Sequence, residues 1–123
     1  MAAPNLIGAT TINGKTTTAN LTSIAATSIL SNAAASGRCF KINTLNVSNY
    51  KNAAANITIS IYSAAALGGT ANSIAGNISV PAFSTLTLID KSTQYYLEED
   101  KSIGAVAGAA SSLAITLSYE DIS

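Results

Sequence analysis

The residues that could do chemistry in this chain are few and poorly assembled for it. Nucleophilic catalysis by serine or cysteine ordinarily draws on a neighbouring histidine as base, and the sequence contains no histidine. Cys39, the single cysteine, therefore lacks its usual activating partner and reads as a structural thiol. It is also too few for a zinc site, which needs several Cys and His ligands, and it has no partner for an internal disulfide. Neither a GxxxxGK[ST] phosphate cradle nor a GxGxxG turn after a strand is present. The acidic residues form one cluster, Glu98-Glu99-Asp100, with Asp90 and the terminal pair Glu120-Asp121 elsewhere. Paired carboxylates can serve a glycosidase or hold calcium. The calcium loop with its obligate glycine is missing, however, and so is tryptophan, the usual sugar platform. A solvated turn between Tyr95-Tyr96-Leu97 and Lys101-Ser102-Ile103 is the better reading. No catalytic, cofactor-binding or metal-binding residue is assigned, no cofactor is implied, and an enzyme is not expected.

Two further features invite functional readings. Tyr95 and Tyr96 are adjacent, so in a strand they point to opposite faces; one is expected in the core and the other toward solvent or a neighbour. Asn-x-Ser/Thr triplets begin at Asn20, Asn46, Asn56 and Asn77, and in a chain so rich in Asn, Ser and Thr coincidence explains them.

The elements that would carry these residues are strands. Isoleucine alternates with polar residues over Asn56-Ile57-Thr58-Ile59-Ser60-Ile61-Tyr62, and Leu113 to Tyr119 repeats the design; period two is the mark of a half-buried strand. From Arg38 to Asn49 the apolar set changes parity between Phe40/Ile42 and Leu45/Val47, which a bulge near Asn43-Thr44 would reconcile. Weaker strands are expected at Asn5–Ile12, Lys15–Thr22, Ser73–Val80, Ser84–Asp90 and Lys101–Ala107. Asn13-Gly14 reads as a type I′ hairpin turn between the first two. Pro81 should end the strand before it, and Leu67-Gly68-Gly69-Thr70 reads as a loop. The alanine-rich patches Asn32–Ser36 and Ala53–Ala55 are too short for stable helices and read as loops. Gly104 and Gly108 suit close backbone packing. About eight short strands give an all-β fold, an antiparallel β-sandwich of jelly-roll or immunoglobulin-like topology, as one domain over residues 1–123.

Composition narrows the partners. The 123 residues carry six Lys plus Arg and six Asp plus Glu, for a formal net charge of zero. The cations are scattered singly, so no basic patch exists to displace counterions from phosphate and nucleic-acid binding is not expected. No apolar run approaches the roughly 18 residues of a membrane span, so no membrane partner is expected, and the N-terminus lacks the pattern of a signal peptide. Hydrophobic residues make up 48% of the chain, yet there are only two Phe, five Tyr and no Trp. The core should therefore be thin in aromatic rings, with an assembly partner supplying further burial.

The chain resembles small virion structural proteins of tailed phages, in particular those infecting marine cyanobacteria. The resemblance is carried by Met1-Ala2-Ala3-Pro4-Asn5-Leu6-Ile7-Gly8 with Thr11-Ile12-Asn13-Gly14-Lys15-Thr16, by Ser31-Asn32-Ala33-Ala34-Ala35-Ser36-Gly37 followed by Phe40-Lys41-Ile42-Asn43, by Tyr96-Leu97-Glu98-Glu99, and by the ending Ser118-Tyr119-Glu120-Asp121-Ile122-Ser123. In such proteins a glycine and an aspartate follow Leu-Glu-Glu; here Asp100 follows directly. The resemblance implies a homo-oligomeric virion component made and assembled in the host cytoplasm, a trimer by analogy. Its partners would be other virion proteins, such as the major capsid protein or tail and neck proteins. A capsid decoration or cement protein is the first expectation. A neck, tail or fibre component and a carbohydrate-binding β-sandwich are the alternatives. Met1–Pro4 reads either as an arm lying on a neighbour or as a frayed terminus.

Overall fold

The computed structural model describes residues 6–90 and 92–123; the Met1–Pro4 arm lies outside them. Among the described residues a 3₁₀ turn, Leu6–Gly8, precedes nine strands: β1 Ile12–Leu21, β2 Thr27–Asn32, β3 Cys39–Asn49, β4 Ala55–Ala64, β5 Gly68–Val80, β6 Thr85–Ile89, β7 Tyr95–Leu97, β8 Lys101–Ala107 and β9 Leu113–Ile122. One sheet runs β1-β9-β3-β6, with β7 also on β3, and the other runs β2-β8-β4-β5. All the pairings are antiparallel.

The pairs nest. β4 joins β5, β3 joins β6 and β7, β2 joins β8, and β1 joins β9. A long two-stranded ribbon rolled over on itself has this order, the jelly roll, in which neighbouring strands of the ribbon fall into opposite sheets. Of the two topologies open to the sequence, the fold is the jelly roll.

Alternation makes the core. Ile57 and Ile59 of β4, Leu113, Ile115 and Leu117 of β9, and Leu45 and Val47 of β3 are fully buried between the sheets. Each such aliphatic side chain contributes about 1.5–3 kcal/mol relative to exposure. Phe40 is the buried aromatic among the described residues, and its ring meets Tyr119 with centroids 5.2 Å apart, tilted by 55°. The parity change in β3 is accommodated as expected: its register on β9 shifts between Ile42 and Thr44. Oδ1 of Asn43, the residue at that bulge, accepts a hydrogen bond from Gln94 Nε2 at 2.8 Å.

Several expectations are corrected. Asn13-Gly14 is not a hairpin turn: both residues lie inside β1, opposite Asp121 and Glu120 of β9, and neither has positive φ. A ten-residue ladder to β9 provides more hydrogen bonds than a local turn could, so the turn propensity is overridden. Of the strand expected over Asn5–Ile12, Asn5 lies outside the described residues, Leu6–Gly8 form the 3₁₀ turn, and Thr10 and Thr11, whose amides donate to Ser123 O, lead into β1 at Ile12. The loop expected at Leu67–Thr70 is shorter, because β5 already begins at Gly68. Ala66 and Leu67 make the turn with φ of 55° and 61°. Strand β2 is absent from the expected set, and β7 enters it only as the strand supposed for Tyr95 and Tyr96.

Candidate functional site

The sequence-derived candidates do not converge; each is held in separate structural use. Cys39 is buried at the start of β3. Burial, with the Glu98 carboxylate adding to it, pushes its thiol above the ordinary range. The acidic cluster forms the turn from β7 to β8, as expected. Glu99 Oε2 accepts from the Gly37 amide at 3.0 Å, and Asp100 Oδ1 accepts from the Ala65 amide at 3.1 Å. Asp100 itself takes φ of 57°. Among non-glycine residues, Asp and Asn enter this left-handed region most readily, so Asp100 itself supplies the conformation that closes the turn. Asp90 Oδ1 accepts from the amide and hydroxyl of Ser92 at 2.9 and 2.7 Å and from Thr93 Oγ1 at 3.3 Å. The Ser92 side chain, foremost, holds that carboxyl below the usual carboxylate range.

Asp121 is the carboxylate that sequence reasoning missed. Its side chain is 3% exposed, and its Oδ2 receives both Lys15 Nζ at 2.8 Å and Arg38 at 2.7 Å. Its Oδ1 is buried without a hydrogen-bond partner. Local spacing offers no signal for this cluster, since the partners come from β1 and from the residue before β3. Two buried asparagines were also missed. Asn32 Nδ2 donates to Arg38 O and Leu97 O at 2.9 and 3.1 Å, and Asn49 Nδ2 donates to Ala53 O and Val80 O at 2.8 and 3.0 Å. Each asparagine ends a strand just before an alanine-containing loop and satisfies one backbone carbonyl of that loop, Arg38 or Ala53, and one at the end of a distant strand, Leu97 of β7 or Val80 of β5. An Asn at such a junction is the legible sign.

Tyr95 and Tyr96 are both exposed, at 42% and 52%, rather than one buried and one free. They sit on the three-residue β7 at the margin of the sheet, opposite Ile42 and Lys41, and Leu97 takes the buried position in their place. Gly104 does mark a close approach. A Cβ there would lie 2.6 Å from Leu67 Cδ2 and 2.8 Å from Tyr62 Cε1, whereas the space at Gly108 is ordinary.

What the fold presents outward is a sheet face of hydroxyls and amides. Directly paired residues share a face, so Thr18, Thr116, Asn46 and Thr87 make one cross-strand row, and Thr16, Ser118 and Thr44 the next. Lys41 and Glu120, 3.8 Å apart, follow with Tyr96 beside them. No pocket forms among the described residues, and no three His, Cys, Asp or Glu residues gather there to hold a metal. No helix among them is long and apolar enough to cross a membrane. The arrangement is suited to contact over flat surfaces and strand edges.

The class is thus set by the fold: a jelly-roll β-sandwich. No protein-family model matches the chain, and no curated protein matches it in sequence. Among solved structures it is similar to a subunit of the Bacillus endospore appendages, described as a novel family of disulfide-linked pili. The identity is 13%, the match covers 99% of this chain and 95% of that one, and the TM-score is 0.53. At that identity the likeness concerns the fold alone.

Proposed function

We propose that the chain is a non-enzymatic structural subunit that associates with copies of itself, and that it serves in a virion as a capsid decoration or cement protein. The observation that carries this reading is where the carboxylates and the thiol are spent. Glu99, Asp100 and Asp90 tie turns together, Asp121 joins two strands to the residue preceding a third, and Cys39 is buried. The reactive groups hold the sandwich, while flat polar faces and strand edges are turned outward. The likeness in fold to a protein of disulfide-linked pili, and the resemblance of the sequence to phage virion proteins, support the same reading. Cys39, buried and with a raised thiol pKa, is a poor link between subunits, so association here would be non-covalent, unlike that of the disulfide-linked pili.

Quantitative mass spectrometry of purified virions tests it. A copy number comparable to that of the major capsid protein is expected; absence from the particle overturns the proposal. The fold likeness to an appendage also favours a second reading, a neck, tail or fibre component. A low copy number, with reconstructed density on the tail rather than the capsid, would establish that alternative.

A further inference from the structure

An edge strand exposes a row of unpaired backbone N–H and C=O groups, and proteins that remain monomeric blunt such edges with short strands, bulges, proline or charge. Four edges close the two sheets here, and they are treated differently. β6 has five residues with a register shift against β3, and β2 has six residues with a shift against β8. β5 is longer, but its register on β4 shifts at three places. β1 is neither short nor shifted in register, and a single lysine is its one such device. It pairs with β9 through ten successive residues, Ile12 to Leu21, without a shift, and it contains no proline. Its one charged side chain, Lys15, is engaged by the Asp121 carboxylate at 2.8 Å. Gly14, Thr16, Thr18 and Asn20, on the outer face, are all exposed.

We infer that the β1 edge is the seam between two copies of this chain. β1 of one copy lies antiparallel against β1 of the other, and the β1-β9-β3-β6 sheet continues across the pair. This deepens the self-association reading above and rests on it. The occupant is argued from complementarity. A two-fold axis perpendicular to the sheet places residues of equal parity opposite one another and so passes through one residue, which fullest overlap of Ile12–Leu21 puts at Thr16 or Thr17. In the first case Lys15 meets Thr17 of the other copy, and in the second it meets Ala19. No like charges face each other in either register, and the centre is filled by threonines, whose cross-strand pairs are favourable. A two-fold contact also uses the same patch on both partners, and β1 is the one edge among the described residues long and regular enough to match itself.

Light scattering on the purified full chain, across a concentration series, reads the result. The expected mass is twice the 12.4 kDa of one chain. The double variant Thr16→Lys/Thr18→Lys brings cations together across the axis and should weaken association at least tenfold, while circular dichroism stays unchanged. A second variant, Thr16→Cys on a Cys39→Ser background, should cross-link to its own copy with a short bismaleimide. If the wild-type chain associates but the lysine variant associates equally and the cysteine variant does not cross-link, the β1 seam is overturned and self-association stands. An odd-numbered oligomer overturns the two-fold pairing in the same way. If the wild-type chain is monomeric throughout the series, the self-association reading falls, and the seam with it.

Discussion

Arg38 and Asp121 stand 83 residues apart in the chain, yet the guanidinium reaches the carboxylate at 2.7 Å. Lys15, 106 residues from Asp121, reaches the same oxygen from the other side. One buried carboxylate thereby joins β1, the approach to β3 and the end of β9, which ties the first and last strands of the rolled ribbon. The cations are themselves about half exposed, at 44% and 50%, so water limits the worth of either pair alone.

From this sharing comes the first prediction. Lys15→Ala and Arg38→Ala should each cost about 0.5–1 kcal/mol, because Asp121 keeps one partner. The double variant leaves a buried carboxylate unpaired, and that should cost about 3–5 kcal/mol. The sum of the single effects therefore falls short of the double. Urea denaturation of the four proteins gives the coupling directly; simple additivity would show that the two cations act independently.

A second prediction concerns Asp100, which takes a left-handed conformation and also accepts a hydrogen bond from the Ala65 amide. Asn can do both, so Asp100→Asn should be within about 0.5 kcal/mol of wild type. Gly keeps the conformation and loses the bond, whereas Val loses both, and its β-branch is poorly tolerated at positive φ. The expected order of thermal midpoints is Asn, then Gly, then Val. A Val variant as stable as the Gly variant would remove backbone conformation from the explanation.

How much of this was legible follows from the range of each interaction. Ile57–Tyr62 and Leu113–Tyr119 alternate within a few residues, so their strands and inward faces could be read, as could the bulge at Asn43, where two parities collide. Asn13-Gly14 misled because its local turn preference is strong while the competing partner, β9, lies a hundred residues on. β2 escaped notice because Ile29 and Leu30 are adjacent, one buried and the other packed against the core, across a register shift. The Asp121 cluster was invisible for the same reason in extreme form: none of its three members is near another in sequence. Strand pattern is local information, and the pairing order that assembles a site is not.

The third prediction separates the two faces of β9. Leu117 is fully buried between the sheets, and neighbouring Thr116 is exposed on the outer face. Leu117→Ala should cost about 2–5 kcal/mol through lost burial and the cavity left behind. Thr116→Ala should change stability by no more than about 0.5 kcal/mol. Comparable costs at the two positions would contradict the assignment of inner and outer faces.

The last prediction concerns Cys39. Burial disfavours the thiolate, so its pKa is raised in the folded chain, with the Glu98 charge adding to the effect. The unfolded chain loses this proton near the ordinary thiol value of about 8.5, before the folded chain does. Stability linked to the group is therefore fully present below that pH and declines as pH rises through the higher folded value. Since the thiolate is the reactive form, a maleimide or disulfide reagent at neutral pH should label Cys39 only as fast as the strand opens. Labelling should accelerate steeply with urea, and Cys39→Ala should flatten the alkaline decline in stability. If Cys39 in the native chain reacts at the rate of a free thiol, the buried placement is wrong and a covalent link between subunits returns to consideration. Slow labelling, together with an assembly indifferent to reductant, is the outcome expected under the proposal that copies of the sandwich join without a disulfide.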